Sequence, residues 1–283
     1  MHNAAFAKLG LNWRYLAYEV HPDNLREAIA GAKAMQFAGL NLTVPHKVLA
    51  MDMVEALDES AKTWGAVNTI RFEGRNAVGD WRPLREFAKD PPREFRAQGF
   101  NTDAYGISRS LSEDLGLSLP GLKVQMLGIG GAGQVAALRL ASEGVSELFL
   151  FDFAQAKVEA VAQEIRRRHP AVSVAVGFSA GPVDLLLNAT PVGLKPGDPS
   201  PLEGRPFSLS QAGAVYDMVY SPAETALLKA ARTAGRKAAN GLGMLLHQGA
   251  EAFEIWTGQP APLDVMRRAL EEAVYGSAGK TGH

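Results

Sequence analysis

The sequence predicts an α/β protein of two domains, in which the larger sheet is parallel and covered by helices on both faces. Three observations carry that prediction. Strand-like and helix-like segments alternate along nearly the whole chain. The strand-like runs of the second half, among them "LKVQMLGIG", "SELFLF" and "VDLLLNAT", are continuously apolar, as in strands buried on both faces. The chain has 283 residues, and at about 150 residues per domain that length corresponds to two.

Taken in order, "WRYLAYEV" (13–20) reads as a strand. "DNLREAIAGAKAMQF" (23–37) reads as an amphipathic helix with Asp23 near its cap. An apolar strand at 39–44 leads to Pro45, a residue suited to the first helical position, so that His46 and Lys47 fall in the opening turn of a helix. A short strand is predicted around Val67–Phe72. Residues 74–99 are charged, proline-bearing and without clean periodicity, and they read as an excursion with a helical turn around Pro83–Lys89. From Leu122 the alternation is denser. A buried strand precedes a helix from about Gly131 to Glu143. Then come a strand at 146–151, a helix from Ala154 to Arg168, and strands at 172–176, 183–190 and 213–220. Gly241–Tyr275 reads as helical, and the tail "GSAGKTGH" as disordered.

Composition narrows the function. Hydrophobic residues make up 47% and charged residues 21%, which supplies an ample core. A net charge of −1 gives no basic surface for nucleic acid or an anionic membrane. The absence of cysteine excludes disulfides, thiolate metal sites and a cysteine nucleophile, and the six histidines show no zinc-ligand spacing, so no metal is expected. No apolar run is long enough to span a bilayer, and "MHNAAFAKLG" lacks the pattern of a signal peptide, so a cytoplasmic protein is expected.

"VQMLGIGGAG" ends a strand and opens a helix with Gly128-x-Gly130-x-x-Gly133. The first glycine permits the tight turn, the second lets backbone approach a pyrophosphate, and the third lets helix pack closely on strand. A second strand ends in Asp152, close to the spacing of about 20 residues at which an acid meets the adenosine ribose. Strand, turn, helix and acid together predict a Rossmann dinucleotide site with Gly128, Ile129, Gly130, Gly131, Ala132, Gly133 and Asp152 around the cofactor. The rival role for Asp152 is a simple cap on the helix near Ala154. A carboxylate there repels a 2′-phosphate, and residues 153–157 offer one lysine and no arginine, so NAD is expected in preference to NADP.

Lys47 stands where a helix start disfavours a cation by about 0.3–1 kcal/mol. Taken alone it reads as a surface lysine, Thr102 or Asp103 as a helix cap, and Asn68 as incidental to a strand. Read together they change meaning. "NLTVPHK", "GAVNTI", "NTDAYG", "GIGGAG", "NATPVGL", "YDMVYSP" and "NGLGMLLHQGAEAFEIWTG" resemble, in order and approximate spacing, the motifs of the shikimate dehydrogenase family, from about Met1 to Gly258.

That resemblance implies an N-terminal α/β substrate domain (1–103, with helices of 241–283 packing back) and a Rossmann-fold NAD(P)-binding domain (104–240). It implies interconversion of shikimate and 3-dehydroshikimate by hydride transfer, with Lys47 and Asp103 as the acid/base pair. It places Thr43, Asn68, Asp103, Tyr220 and Gln248 on the substrate, and Asn188, Thr190, Met218 and Gly241 beside the cofactor. The expected partner is a small-molecule substrate, shikimate or quinate, with no nucleic acid and no membrane, in a monomer or homodimer.

Two departures from the family pattern stand out. A first strand and a Ser-x-Ser segment that binds the substrate carboxylate are expected ahead of Met1, so the native start is expected upstream, which the intact mass of the native protein would decide. The 74–99 excursion is longer than the family's usual link. Two alternatives follow: an NAD-preferring quinate/shikimate dehydrogenase, and a catalytically silent ligand-binding homologue lacking the serine pair. Retention of both Lys47 and Asp103 argues against the second.

Overall fold

The computed structural model describes residues 1–87, 92–195 and 197–276. The chain falls into two compact units, one of Met1–Asp103 with Gln248–Ala269 and one of Ala104–His247 with Leu270–His283.

The first unit opens with α1 (His2–Lys8). A 3₁₀ turn at Pro22–Asn24 leads into α2 (Leu25–Ala34), then β1 (Gly39–Asn41), the single turn α3 (His46–Leu49), β2 (Ala56–Leu57) and α4 (Glu59–Trp64). β3 (Thr69–Arg75), β4 (Trp81–Pro83) and β5 (Phe95–Phe100) follow. β3 is the hub of the sheet. β5 runs antiparallel along Thr69–Gly74, while β1 pairs with Thr69–Arg71 and β4 with Glu73–Arg75. β2 joins β5 in parallel.

α2 forms because its apolar residues recur at helical spacing, and Leu25, Ile29 and Ala32 are the ones it buries. They pack with Val67, Ile70 and Phe72 of the sheet. The C-terminal part of the unit closes the core, since Trp256 Nε1 donates to the Ile70 carbonyl at 2.9 Å and Phe253 stacks on Phe6.

Three expectations change here. Residues 13–20 form no strand. Among the described residues no strand pairs with this segment, and Tyr15 instead exchanges two backbone hydrogen bonds with the Asn3 side chain. Leu16 and Tyr18, whose apolar character predicted a strand, are each 63% exposed. The strand predicted at 39–44 stops at Asn41, and Pro45 caps α3 instead of opening it. A helix of four residues has little dipole, so the electrostatic oddity of Lys47 loses most of its force. The excursion at 74–99 is largely ordered into sheet, through β4 and β5, with a 3₁₀ turn at Leu84–Phe87. The Trp81 ring sits under the Arg75 and Arg96 guanidinium groups, and Arg85 donates to the Trp256 carbonyl. Lys89 lies outside the described residues, as does the tail beyond Gly276.

The second unit begins at Ala104, in the first turn of α5, which starts at Asp103 and runs to Leu115. β6 (Lys123–Leu127), α6 (Gly131–Ser142), β7 (Glu147–Phe151), α7 (Gln155–Arg168), β8 (Ser173–Val176), β9 (Val183–Asn188) and β10 (Ala212–Asp217) follow closely where the apolar runs predict them. α8 (Ala226–Thr233) and β11 (Lys237–Asn240) were not anticipated. β11 is short and only half buried, so it carries no continuous apolar run to announce it. The six strands are all parallel, in the order β11-β10-β9-β6-β7-β8. This is the doubly wound Rossmann order, with its reversal between β6 and β9. Two helices end the chain: α9 (Leu242–Thr257) and α10 (Leu263–Tyr275). Among the described residues no helix is long and apolar enough to cross a membrane.

Candidate active site

Lys47, Asn68, Asp103 and Gln248 meet beside the start of β3, in the first unit. α3 is tied to the strand that follows because the Lys47 carbonyl accepts from Val67 N–H at 2.8 Å. Asp103 is set by a local turn in which Asn101 Oδ1 accepts its N–H at 3.1 Å, while Asn101 Nδ2 donates to the Ala66 carbonyl. Lys47 Nζ then reaches both carboxylate oxygens of Asp103, at 2.8 Å and 3.1 Å.

Asn68, 2% exposed, organises the rest. Its Oδ1 accepts from Thr102 N–H at 2.8 Å, and its Nδ2 lies 2.9 Å from Asp103 Oδ1, 3.0 Å from Thr102 Oγ1 and 3.4 Å from Gln248 Oε1. A primary amide has two hydrogens for those three acceptors. Asp103 is 4% exposed and the Lys47 side chain is 25% exposed, so a partly buried lysine meets a buried carboxylate. The sequence motifs singled out Lys47, Asn68, Asp103 and Gln248, and the structure brings these four together. Thr102 is the member that reads in the sequence only as a cap, and "NTD" is the string that held it. Thr43 is exposed in the turn before α3, where its carbonyl accepts from His46 N–H, and its side chain joins no hydrogen bond of this cluster among the described residues. Tyr220 belongs to the second unit, where its carbonyl accepts from the Tyr275 hydroxyl.

In the second unit the glycine turn has the shape that a pyrophosphate requires. Gly128 has φ +89°, and a Cβ on Gly133 would stand 2.1 Å from the Gly128 carbonyl oxygen, so α6 docks on β6 only without one. Gly130 and Gly131 face open space, with no atom within 4 Å of where a Cβ would be, and Ala132 is exposed beside them. The N-terminal N–H groups of α6 thus border free volume, and the residues fit a bound dinucleotide. Asp152 is no simple helix cap. Its Oδ2 accepts from Ile129 N–H at 2.7 Å within the glycine turn, and its Oδ1 accepts from Ala154 N–H at 2.9 Å. Burial opposes ionisation, but these two N–H groups outweigh it and hold the carboxyl below the usual range.

Asn188, at the end of β9, receives both the N–H and the hydroxyl of Thr190 and donates to Asp217 at 2.9 Å. Its carbonyl accepts Met218 N–H at 2.9 Å. A Cβ on Gly241 would stand 2.2 Å from the Met218 carbonyl oxygen, which explains the missing side chain at that position. Burial pushes Asp217 up, against hydrogen bonds from Thr225, Asn188 and Val219 N–H. No cluster of three or more metal-ligating side chains occurs among the described residues.

A six-stranded parallel sheet in this order, with a glycine turn on its first strand and an acid at the end of the second, defines a dinucleotide-binding protein of the Rossmann class. A model of the shikimate dehydrogenase substrate binding domain matches residues 1–70, and one of the shikimate 5′-dehydrogenase C-terminal domain matches residues 241–271. The chain is 37% identical to shikimate dehydrogenase (NADP⁺) of Methanopyrus kandleri, over 96% of this chain and 89% of that one. It therefore belongs to the shikimate dehydrogenase family.

Two solved structures are similar along nearly their whole length. Shikimate 5-dehydrogenase from Listeria monocytogenes, in complex with shikimate and NAD, has TM-score 0.77 and 32% identity, covering 95% of this chain and 90% of that one. The ligand-free 5-ketofructose reductase of Gluconobacter sp. strain CHM43 has TM-score 0.77 and 30% identity, covering 96% and 91%.

Proposed function

We propose that the chain interconverts shikimate and 3-dehydroshikimate with a nicotinamide dinucleotide, and that Lys47 and Asp103 move the proton. The observation that carries this reading is the Lys47 ammonium held against both oxygens of a buried Asp103 carboxylate. Converting a secondary alcohol to a ketone requires a proton to leave oxygen as hydride leaves carbon, and the reverse requires one to be supplied. A nicotinamide dinucleotide held by the second unit would supply the hydride chemistry. In this reading the Lys47–Asp103 pair exchanges that proton, with Asp103 Oδ1 held by the Asn68 side-chain amide. Asn68 and Gln248 supply neutral polar groups for the ring hydroxyls, and Thr43 and Tyr220 are proposed as further substrate contacts. A polyhydroxylated acid is selected by such groups because a substrate lacking a hydroxyl leaves them unpaired.

For the cofactor, Gly128–Gly133 would hold the pyrophosphate, Asp152 the adenosine ribose, and Asn188, Thr190, Met218 and Gly241 the nicotinamide side. NAD is proposed as the preferred dinucleotide, because an ionised Asp152 at the ribose disfavours a 2′-phosphate. That preference also supports the second reading, a quinate/shikimate dehydrogenase. Nicotinamide absorbance with shikimate, quinate and 5-ketofructose, each with NAD and NADP, tests these readings. Turnover of shikimate with NAD ahead of NADP is expected. Turnover of quinate ahead of shikimate would move the assignment to the second reading, and no turnover of either would overturn both.

A further inference from the structure

Residues 153–157, which follow the ribose acid, contain no arginine, but one arrives from elsewhere in the second unit. Arg205 lies in the segment between β9 and β10, and its guanidinium carbon sits 5.1 Å from the ring centre of Phe151 and 4.6 Å from that of Phe153. Those two rings flank Asp152 in the chain, at the carboxyl end of β7 where a doubly wound sheet takes its ligands.

Three features make this arginine unusual. Among the described residues no carboxylate pairs with it, and its Nε is buried without a hydrogen-bond partner. Phe153 is 79% exposed, so the platform beneath the cation is open to solvent. The segment is also fixed: Arg205 N–H donates to the Leu202 carbonyl, and Leu202 and Phe207 on either side pack into the core with Phe151 and Phe178. A guanidinium spread on aromatic faces keeps its outer N–H groups directed away from the rings, and it is the side chain best matched to a phosphate.

We propose that Arg205 is a specificity-determining residue for the adenosine end of the cofactor. It offers its free N–H groups to a 2′-phosphate beside Asp152, so that NADP remains usable in a site whose acid favours NAD. The inference rests on the dinucleotide reading above. It assigns to a residue far along the chain the cation that the segment after Asp152 lacks.

Calorimetric titration of the full chain with NAD, NADP, 5′-AMP and adenosine 2′,5′-bisphosphate tests it, in the wild type, Arg205→Lys and Arg205→Ala. Arg205→Ala is expected to weaken NADP and the bisphosphate by about tenfold or more while NAD and 5′-AMP stay within about twofold, since only the ligands that carry a 2′-phosphate lose a charge-assisted contact. Arg205→Lys should keep part of the NADP affinity. An unchanged ratio of NADP to NAD affinity, or an equal loss of both, would overturn the inference and leave the dinucleotide reading intact. A wild-type chain that binds none of the four ligands would overturn both.

Discussion

Asn68 shows how one amide can orient the ion pair proposed to move the proton. Its oxygen is committed to Thr102 N–H, which orients its nitrogen toward Asp103, and that hydrogen bond fixes the carboxylate that Lys47 must meet. Lys47→Ala or Asp103→Ala should therefore lower kcat by about 10²–10⁴-fold, the usual contribution of a positioned acid or base. Dinucleotide affinity should stay within about twofold of wild type, and near-normal turnover in both variants would refute the assignment.

A second residue-scale effect concerns His2, which is buried among the rings of Phe6, Tyr15 and Trp256. Burial lowers its pKa to about 4, against the ordinary 6.5. Between those values the unfolded chain binds a proton that the folded chain refuses. Stability is full above about pH 6.5 and declines as pH falls toward 4, by about 3 kcal/mol in all. Denaturation at pH 4.5 and pH 7 should show that loss in the wild type and a smaller one in His2→Phe. Sequence motifs exposed Lys47, Asn68 and Asp103 because each sits in a short, distinctive string. They did not expose Arg205, whose meaning comes from rings some fifty positions earlier in the chain.

At the scale of elements, the glycines of the β6–α6 turn separate two roles. Gly133 is needed for docking, and a methyl group there meets the Gly128 carbonyl at 2.1 Å. Gly133→Ala is expected to destabilise the protein by about 1–3 kcal/mol, as overpacking does, and to weaken dinucleotide binding at least tenfold. Gly131 is different, because a Cβ there meets nothing within 4 Å. Gly131→Ala should leave denaturation unchanged or slightly improved and still weaken the dinucleotide, since only the space for pyrophosphate is filled. Paired denaturation and titration experiments check both. Strands β6, β9 and β10 were legible because burial on both faces leaves a continuous apolar signature, and β7 carries an apolar run although only alternate residues are fully buried. Residues 13–20 carried apolar residues too, but a strand exists only with a neighbour, and composition cannot report whether one is there. In residues 74–99 the apolar signal was masked by Arg75 and Arg96, which lie along the ring of Trp81, Arg96 also pairing with the buried Glu73.

For the molecule as a whole, a ligand that binds only the folded state adds to its stability. NAD at a hundred times its dissociation constant should raise the unfolding free energy by about 2.7 kcal/mol, and NADP by less at the same concentration if Asp152 sets the preference. Denaturant midpoints with each dinucleotide provide the measurement. Equal stabilisation at equal concentration would remove the proposed NAD preference. The order of the parallel sheet was within reach of the sequence, because strand–helix alternation with a glycine turn leaves few topologies. The division into units was less so, since it runs through the middle of α9 and α10, where the helical pattern continues unbroken.

That division has a consequence for how the protein is made. The first unit is discontinuous, and the helix segment that gives Trp256 to β3 emerges from the ribosome long after Asp103 does. At about 5–20 residues per second, the N-terminal sheet waits roughly 7–30 s for the piece that closes its core. During that interval the second unit, whose β6–β11 sheet is nearly continuous in the chain, has every strand it needs. Folding on the ribosome should thus run against the order of synthesis, with the strands of the second unit's sheet all made before the first unit receives the helix segment that closes its core.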